Sequence, residues 1–144
     1  MNVVFFGGEP LLKFNEIIVP IVEKYCNIAT FSITTNGILL DEDKIDFFYK
    51  YGINILLSFD GIKKVQNAQR PGKNCDSFDT VLKNIPYLLL RFPNTTMRAT
   101  LTKESVNYLY DTVLMAEELG FKSIMFTPNA YEKWDSSTGA IYEK

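Results

Sequence analysis

The chain has 144 residues, 47% of them apolar and 22% charged, with a formal net charge of −2. That length supports one domain with a core, the composition excludes disorder, and a near-neutral balance without a basic block argues against electrostatic capture of nucleic acid or anionic lipid. No segment approaches the roughly 18 unbroken apolar residues of a membrane span, and no charged region precedes the first apolar run, so neither membrane association nor a signal peptide is expected and the compartment is read as cytoplasmic.

Strand and helix signals alternate along the chain. Val3-Val4-Phe5-Phe6 is an apolar run that reads as a fully buried strand, and Gly7-Gly8-Glu9-Pro10 follows it. Phe14 to Tyr25 carries Phe14, Ile17, Ile18, Ile21, Val22 and Tyr25 at helical spacing, with Pro20 predicting a kink or a late start. Ala29 to Thr34 is a second strand, closed by Thr35-Asn36-Gly37. Asp41 to Tyr51 is a helix with an acidic first turn, stopped by Gly52. Ile53 to Leu57 is a third strand, ending in Ser58-Phe59-Asp60-Gly61. Lys63 to Asn74 is polar and reads as loop with a short helical turn. Ser77 is the expected N-cap of a helix from Phe78 to about Leu90, bent at Pro86. Thr95 to Leu101 is a fourth strand, Glu104 to Leu119 a helix stopped by Gly120, and Ser123 to Phe126 a fifth strand. The tail from Thr127 reads as irregular. Strands separated by crossover segments predict a parallel α/β domain.

Polar and glycine residues gather just after these strands. The first delivers Gly7, Gly8 and Glu9; the second Thr34, Thr35, Asn36 and Gly37; the third Ser58, Asp60 and Gly61; the fourth carries Arg98, Thr100 and Thr102. Parallel strands present these ends on one rim. Glu9, Asp60 and backbone carbonyls are acceptors suited to an ammonium and a ribose diol, whereas Asn36, Ser58 and an arginine are donors suited to a carboxylate. An amino-acid nucleoside such as S-adenosylmethionine (SAM) satisfies that set. Each dipeptide also has a bland reading: Asn36-Gly37 and Asp60-Gly61 are common turn pairs, Arg70 precedes Pro71-Gly72 in a polar stretch, and Arg98 suits an ion pair with a helix carboxylate. Their coincidence at three successive strand ends favours a site. No histidine is present, which removes the commonest general base and metal ligand. The two cysteines, Cys26 and Cys75, lie far apart and read as ordinary free thiols.

Taken in order, FFGGEPLL at 5–12, ITTNGILLDED at 33–43, LLSFDG at 56–61, SFDTVLKNI at 77–85 and ELGFKSIMFTP at 118–128 resemble the radical SAM superfamily, in particular its peptide- and protein-modifying branch that includes anaerobic sulfatase-maturating enzymes. VQNAQR, ending at Arg70, resembles that branch's His-Asp-x-x-Arg element, with Gln66 and Asn67 in place of His and Asp. The resemblance implies a partial (β/α)6 radical SAM barrel, truncated at its N-terminus, a parallel sheet with flanking helices in which residues 1–130 hold strands two to six and 131–144 form a tail. It implies that Gly7, Gly8 and Glu9 hold the SAM amino group, that Ser58 and Asp60 face the ribose, that Asn36 lies on the rim, and that Arg70 or Arg98 meets the carboxylate. Glu9 shows no structural partner in the sequence. In the family a [4Fe-4S] cluster cleaves SAM to a 5′-deoxyadenosyl radical that abstracts a substrate hydrogen. The ligands of that cluster, a Cys-x3-Cys-x2-Cys loop, are not in this chain.

The leading expectation is therefore the SAM-binding core fragment of an oxidoreductase or maturase acting on a peptide or protein, inactive as an isolated chain. Two alternatives are a non-catalytic α/β module binding another small ligand and an inert fragment. An exposed first strand carries a self-association hazard. Two distant cysteines cannot supply the thiolates of a cubane cluster, so anaerobic iron–sulfide reconstitution of the purified chain is expected to leave it colourless and without stoichiometric iron by absorption and iron assay.

Overall fold

The computed structural model describes residues 1–73 and 76–134. Cys75, read as a free thiol, and residues 135–144 of the tail lie outside them. Five strands form one sheet, parallel throughout, in the order of the sequence: β1 (Asn2–Phe5), β2 (Thr30–Thr35), β3 (Asn54–Ser58), β4 (Thr96–Leu101) and β5 (Ser123–Pro128). Each crossover returns to the neighbouring position, which collects the helices on one face. Strand alternation records this. Phe31, Ile33, Ile55, Leu57, Met97 and Ala99 point into the helices and are buried, whereas Ser32, Thr34, Leu56, Thr96, Arg98 and Thr100 between them are half-buried on the open face.

The helices are α1 (Val19–Tyr25), α2 (Glu42–Lys50), α3 (Lys63–Gln69), α4 (Ser77–Leu82), α5 (Ile85–Arg91) and α6 (Leu109–Glu118). Val22, Ile45, Phe48, Ile85, Leu88 and Ala116 carry their apolar faces into the core, with Ile18 just ahead of α1. Pro20 produces the late start. The chain passes through a 3₁₀ turn at Pro10–Lys13 and a π turn at Phe14–Ile18 before α1, where Pro20 occupies the first turn and no intrahelical N–H is required of it. Among the described residues no helix is long and apolar enough to cross a membrane.

Several expectations are corrected. β1 is an edge strand and is not fully buried: Val4 and Phe6 alternate with Phe5, which packs on Phe31, and so point to the open face of an edge strand, where they are exposed. The polar stretch after Gly61 holds a true helix, α3, anchored by buried Val65 and Gln66. The helix expected from Phe78 to Leu90 is two helices. Asn84 breaks it, donating from Nδ2 to the Leu40 carbonyl at 2.7 Å, and Pro86 opens α5 rather than bending a longer helix. The cap of α4 is Asp76, not Ser77; the Asp79 amide and then Lys63 stabilise its carboxylate and hold its pKa down at about 2. The segment before α6 starts as a 3₁₀ turn at Ser105–Tyr108, and β5 runs on to Pro128 where an irregular tail was expected.

Gly61 closes the turn after β3 with φ +115°, and a Cβ there would lie 2.6 Å from the Thr112 methyl carbon and 2.9 Å from its Cβ. Thr112 is buried and cannot retreat. Gly61→Ala therefore adds backbone strain to overpacking and is expected to cost about 3 kcal/mol in urea unfolding of the chain.

Candidate functional site

Parallel pairing brings the C-terminal ends of the strands to one rim, and a cavity of about 340 Å³ opens there on the uncovered face. Phe6, Gly7 and Gly8 line it from β1, Asn36 from β2, and Ser58 and Arg98 from β3 and β4. Arg70, delivered by the end of α3, and Thr100 complete the wall. Gly7, Gly8, Asn36, Ser58, Arg70 and Arg98, all singled out in the sequence, thus meet around this hollow. The other two do not line it: Glu9 lies behind the wall, bonded to the Asn36 amide, and Asp60 lies beneath Arg70.

Gly7 and Gly8 sit beyond the last β1–β2 pair, Phe5–Ile33, with φ +96° and +56°. A Cβ at either would meet nothing within 4 Å. Glycine is needed here for the turn itself, and the turn leaves main-chain groups facing open space at the cavity. Glu9 folds back behind them. Its Oε1 accepts from Thr35 Oγ1 at 2.8 Å and from the Leu11 amide at 3.1 Å, and its Oε2 accepts from the Asn36 amide at 2.8 Å. Thr35 Oγ1 accepts in turn from the Gly37 amide, and Asn36 Oδ1 from the Ile38 amide. The expectation that Glu9 lacks a structural partner does not hold: the carboxylate ties the turn after β1 to the turn after β2.

Asp60 is 3% exposed, and both of its oxygens are engaged. Its Oδ2 accepts from Arg70 Nε at 2.6 Å, and its Oδ1 accepts from Arg70 Nη2 at 3.2 Å and the Thr100 amide at 2.8 Å. Arg70 Nη2 also reaches Thr100 Oγ1 at 3.3 Å. Arg98 differs. Its side-chain hydrogen bond is a long one, Nε to Thr127 Oγ1 at 3.4 Å, and among the described residues no carboxylate pairs with it. The rim thus holds one neutralised arginine and one whose charge is uncompensated. Phe6, a wall residue that the sequence reading missed, is 70% exposed; strict alternation from Phe5, which stacks on Phe31 in the core, was the available signal.

A larger hollow of about 610 Å³ lies lower on the same face, beside Ser32, Asn54, Leu56 and Thr96. The arginine at its edge, Arg91, is already paired with Asp46 and Tyr87. It offers no free charge, so the smaller rim cavity is the stronger site.

The model of the Radical SAM superfamily matches residues 2–127. This chain belongs to that superfamily. It is 36% identical over 85 residues to a cysteine-type anaerobic sulfatase-maturating enzyme of Clostridium perfringens, covering 55% of this chain and 22% of that protein. It is 25% identical over 118 residues to the radical SAM cyclopropyl synthase TigE of Paramaledivibacter caminithermalis, covering 79% of this chain and 24% of that one. A solved structure of native anSMEcpe with bound AdoMet superposes with a TM-score of 0.78 at 25% identity, over 94% of this chain and 40% of that one. The same protein has been solved with AdoMet and the Kp18Cys peptide, and that structure superposes with a TM-score of 0.79. The chain thus spans less than half the length of these relatives, and its sheet is a partial radical SAM barrel.

Radical SAM chemistry needs SAM and an iron–sulfur cluster. The rim has polar groups that fit the first: main-chain groups of the Gly7–Gly8 turn, hydroxyls, and a guanidinium with no carboxylate partner among the described residues. For the second, the described residues contain no cluster of three metal-ligating side chains, and Cys26 lies near Met1 and Thr30 at the opposite end of the strands.

Glu9→Gln replaces an acceptor oxygen with an N–H that faces another donor. The variant is expected to lose about 1–3 kcal/mol of stability in urea titration, and Glu9→Ala at least as much.

Proposed function

We propose that the rim cavity is the SAM subsite of a radical SAM enzyme acting on a peptide or protein. The observation that carries this reading is Arg98. A half-buried guanidinium without a carboxylate partner among the described residues, set in a cavity with main-chain turns and hydroxyls, is built for an anionic group. Arg70 is spent on Asp60, so Arg98 is the partner for the SAM carboxylate, and Arg70 shapes the wall. The turn at Gly7 and Gly8 offers its carbonyls to the ammonium, with Glu9 holding the turn rather than touching the ligand. Ser58 Oγ and the Asn36 turn lie where the nucleoside would extend. Asp60 serves this site through Arg70, since its side chain is buried and both of its oxygens are engaged by Arg70 and Thr100.

SAM supplies the radical chemistry when bound in such enzymes, and the protein orients it. This chain's own residues bind the methionine end, set its direction along the rim, and leave the hydroxyl-lined open face below for a substrate. The peptide-bound relative supports a peptide as that substrate.

Calorimetric titration of the chain with SAM tests the proposal. Without cluster iron the dissociation constant is expected to be no better than about 100 μM, near −5.5 kcal/mol. Arg98→Gln should weaken binding about tenfold or more, the loss of a charge-assisted bond, with an unchanged melting temperature. Equal affinity in Arg98→Gln would remove the carboxylate assignment, and no measurable affinity in the native chain would remove the site.

A further inference from the structure

The Asp60–Arg70 pair is assembled by a residue that touches neither charge. Gln66 is 0% exposed, in the middle of α3. Its side-chain Oε1 accepts from the Asp60 amide at 2.8 Å, and its main-chain carbonyl accepts from the Arg70 amide at 2.8 Å. One residue therefore grips the backbone of both partners: Asp60 through its side chain, and Arg70 through the last turn of the helix. The carboxylate and guanidinium then meet in a fork, and Arg70 Nη1 is left without a partner among the described residues. Gln66 Nε2, by contrast, is buried with no hydrogen bond among those residues. An orphaned amide is costly in a core. Methionine or leucine would fill the space without that cost, so packing does not explain a glutamine. An acceptor for the Asp60 amide does.

We propose that Gln66 is a positioning residue of the rim cavity. It fixes Asp60 and Arg70 relative to each other so that Arg70 keeps its place in the cavity wall. The positioning of Arg70 stands on the chain's own geometry, and only its effect on affinity rests on the SAM reading above. A neutral imidazole at the same place offers one acceptor nitrogen and one N–H, the same two functions as the amide, which makes histidine the conservative replacement.

The test is nitrogen-15 NMR of the whole chain, following the Arg70 Nε–Hε signal, assigned by its loss in Arg70→Lys. Held to Asp60 at 2.6 Å, this proton is expected to be resolved and slow to exchange in the native chain. In Gln66→Met it should exchange about tenfold faster or broaden away, while the remaining amide spectrum stays dispersed. Gln66→His should restore it. A slow Arg70 Hε in folded Gln66→Met overturns the proposal. If that variant does not fold, Gln66→His decides: a retained signal supports the proposal, and a lost signal in a dispersed spectrum overturns it. In the SAM titration Gln66→Met is expected to bind several-fold more weakly. Failure of the native chain to bind SAM, with the Arg70 signal still responding to Gln66→Met, would remove the SAM reading and leave the positioning role in place.

Discussion

The rim depends on the buried carboxylate of Asp60. A carboxylate taken out of water is tolerated only where opposite charge and hydrogen bonds compensate it, and the compensation here comes from two directions. Arg70 provides charge from α3, and the Thr100 amide provides a donor from β4. The short helix α3 follows from that requirement, because an arginine ten residues beyond Asp60 must be turned back upon it. Lys63 ties the start of α3 to Asp76 and Asp79, and Asn67 Oδ1 accepts from the Phe78 amide and Ser77 Oγ at the head of α4. The segment 63–70 is held at both ends and in the middle.

Glu9 does for the first two strands what Asp60 does for the next two. Each carboxylate stands at a strand end and accepts main-chain or hydroxyl donors from the neighbouring strand or its turn. Both acidic residues of the rim are thus tied into the fold, and Arg98 is left without a carboxylate partner among the described residues. That division could not be read from the sequence, where Glu9 and Asp60 each follow a strand and look alike as ligand acceptors. Which carboxylates remain free depends on donors that approach from 10 to 40 residues away.

Much else was legible. Alternating apolar runs placed all five strands within a residue or two, because a parallel sheet needs repeated strand–crossover units and these leave a strong periodic trace. The glycine-bearing strand ends predicted the rim for the same reason. What failed was local and polar. α3 is seven residues long with Val65 as its one large aliphatic anchor, too short to show a helical period. The break at Asn84 rests on a side-chain bond to Leu40, 44 residues away. Val4 looked buried from composition, yet it lies on the open face of an edge strand and is exposed. That Asp60 pairs with Arg70 and not with Arg98 was also hidden, because it turns on a partner, not on a residue type.

The pairing of β3 with β4 is the shortest in the sheet, Leu56–Ser58 against Thr96–Arg98, and the two strands are separated by the longest crossover. It is the natural seam between an N-terminal half of three strands and a C-terminal half of two. Ser58 stands on one lip of that seam and Arg98 directly opposite on the other. Any molecule seated on the rim therefore works as a rivet between the halves, so occupancy would be felt as resistance to local opening along this line well before it altered the unfolding of the whole domain.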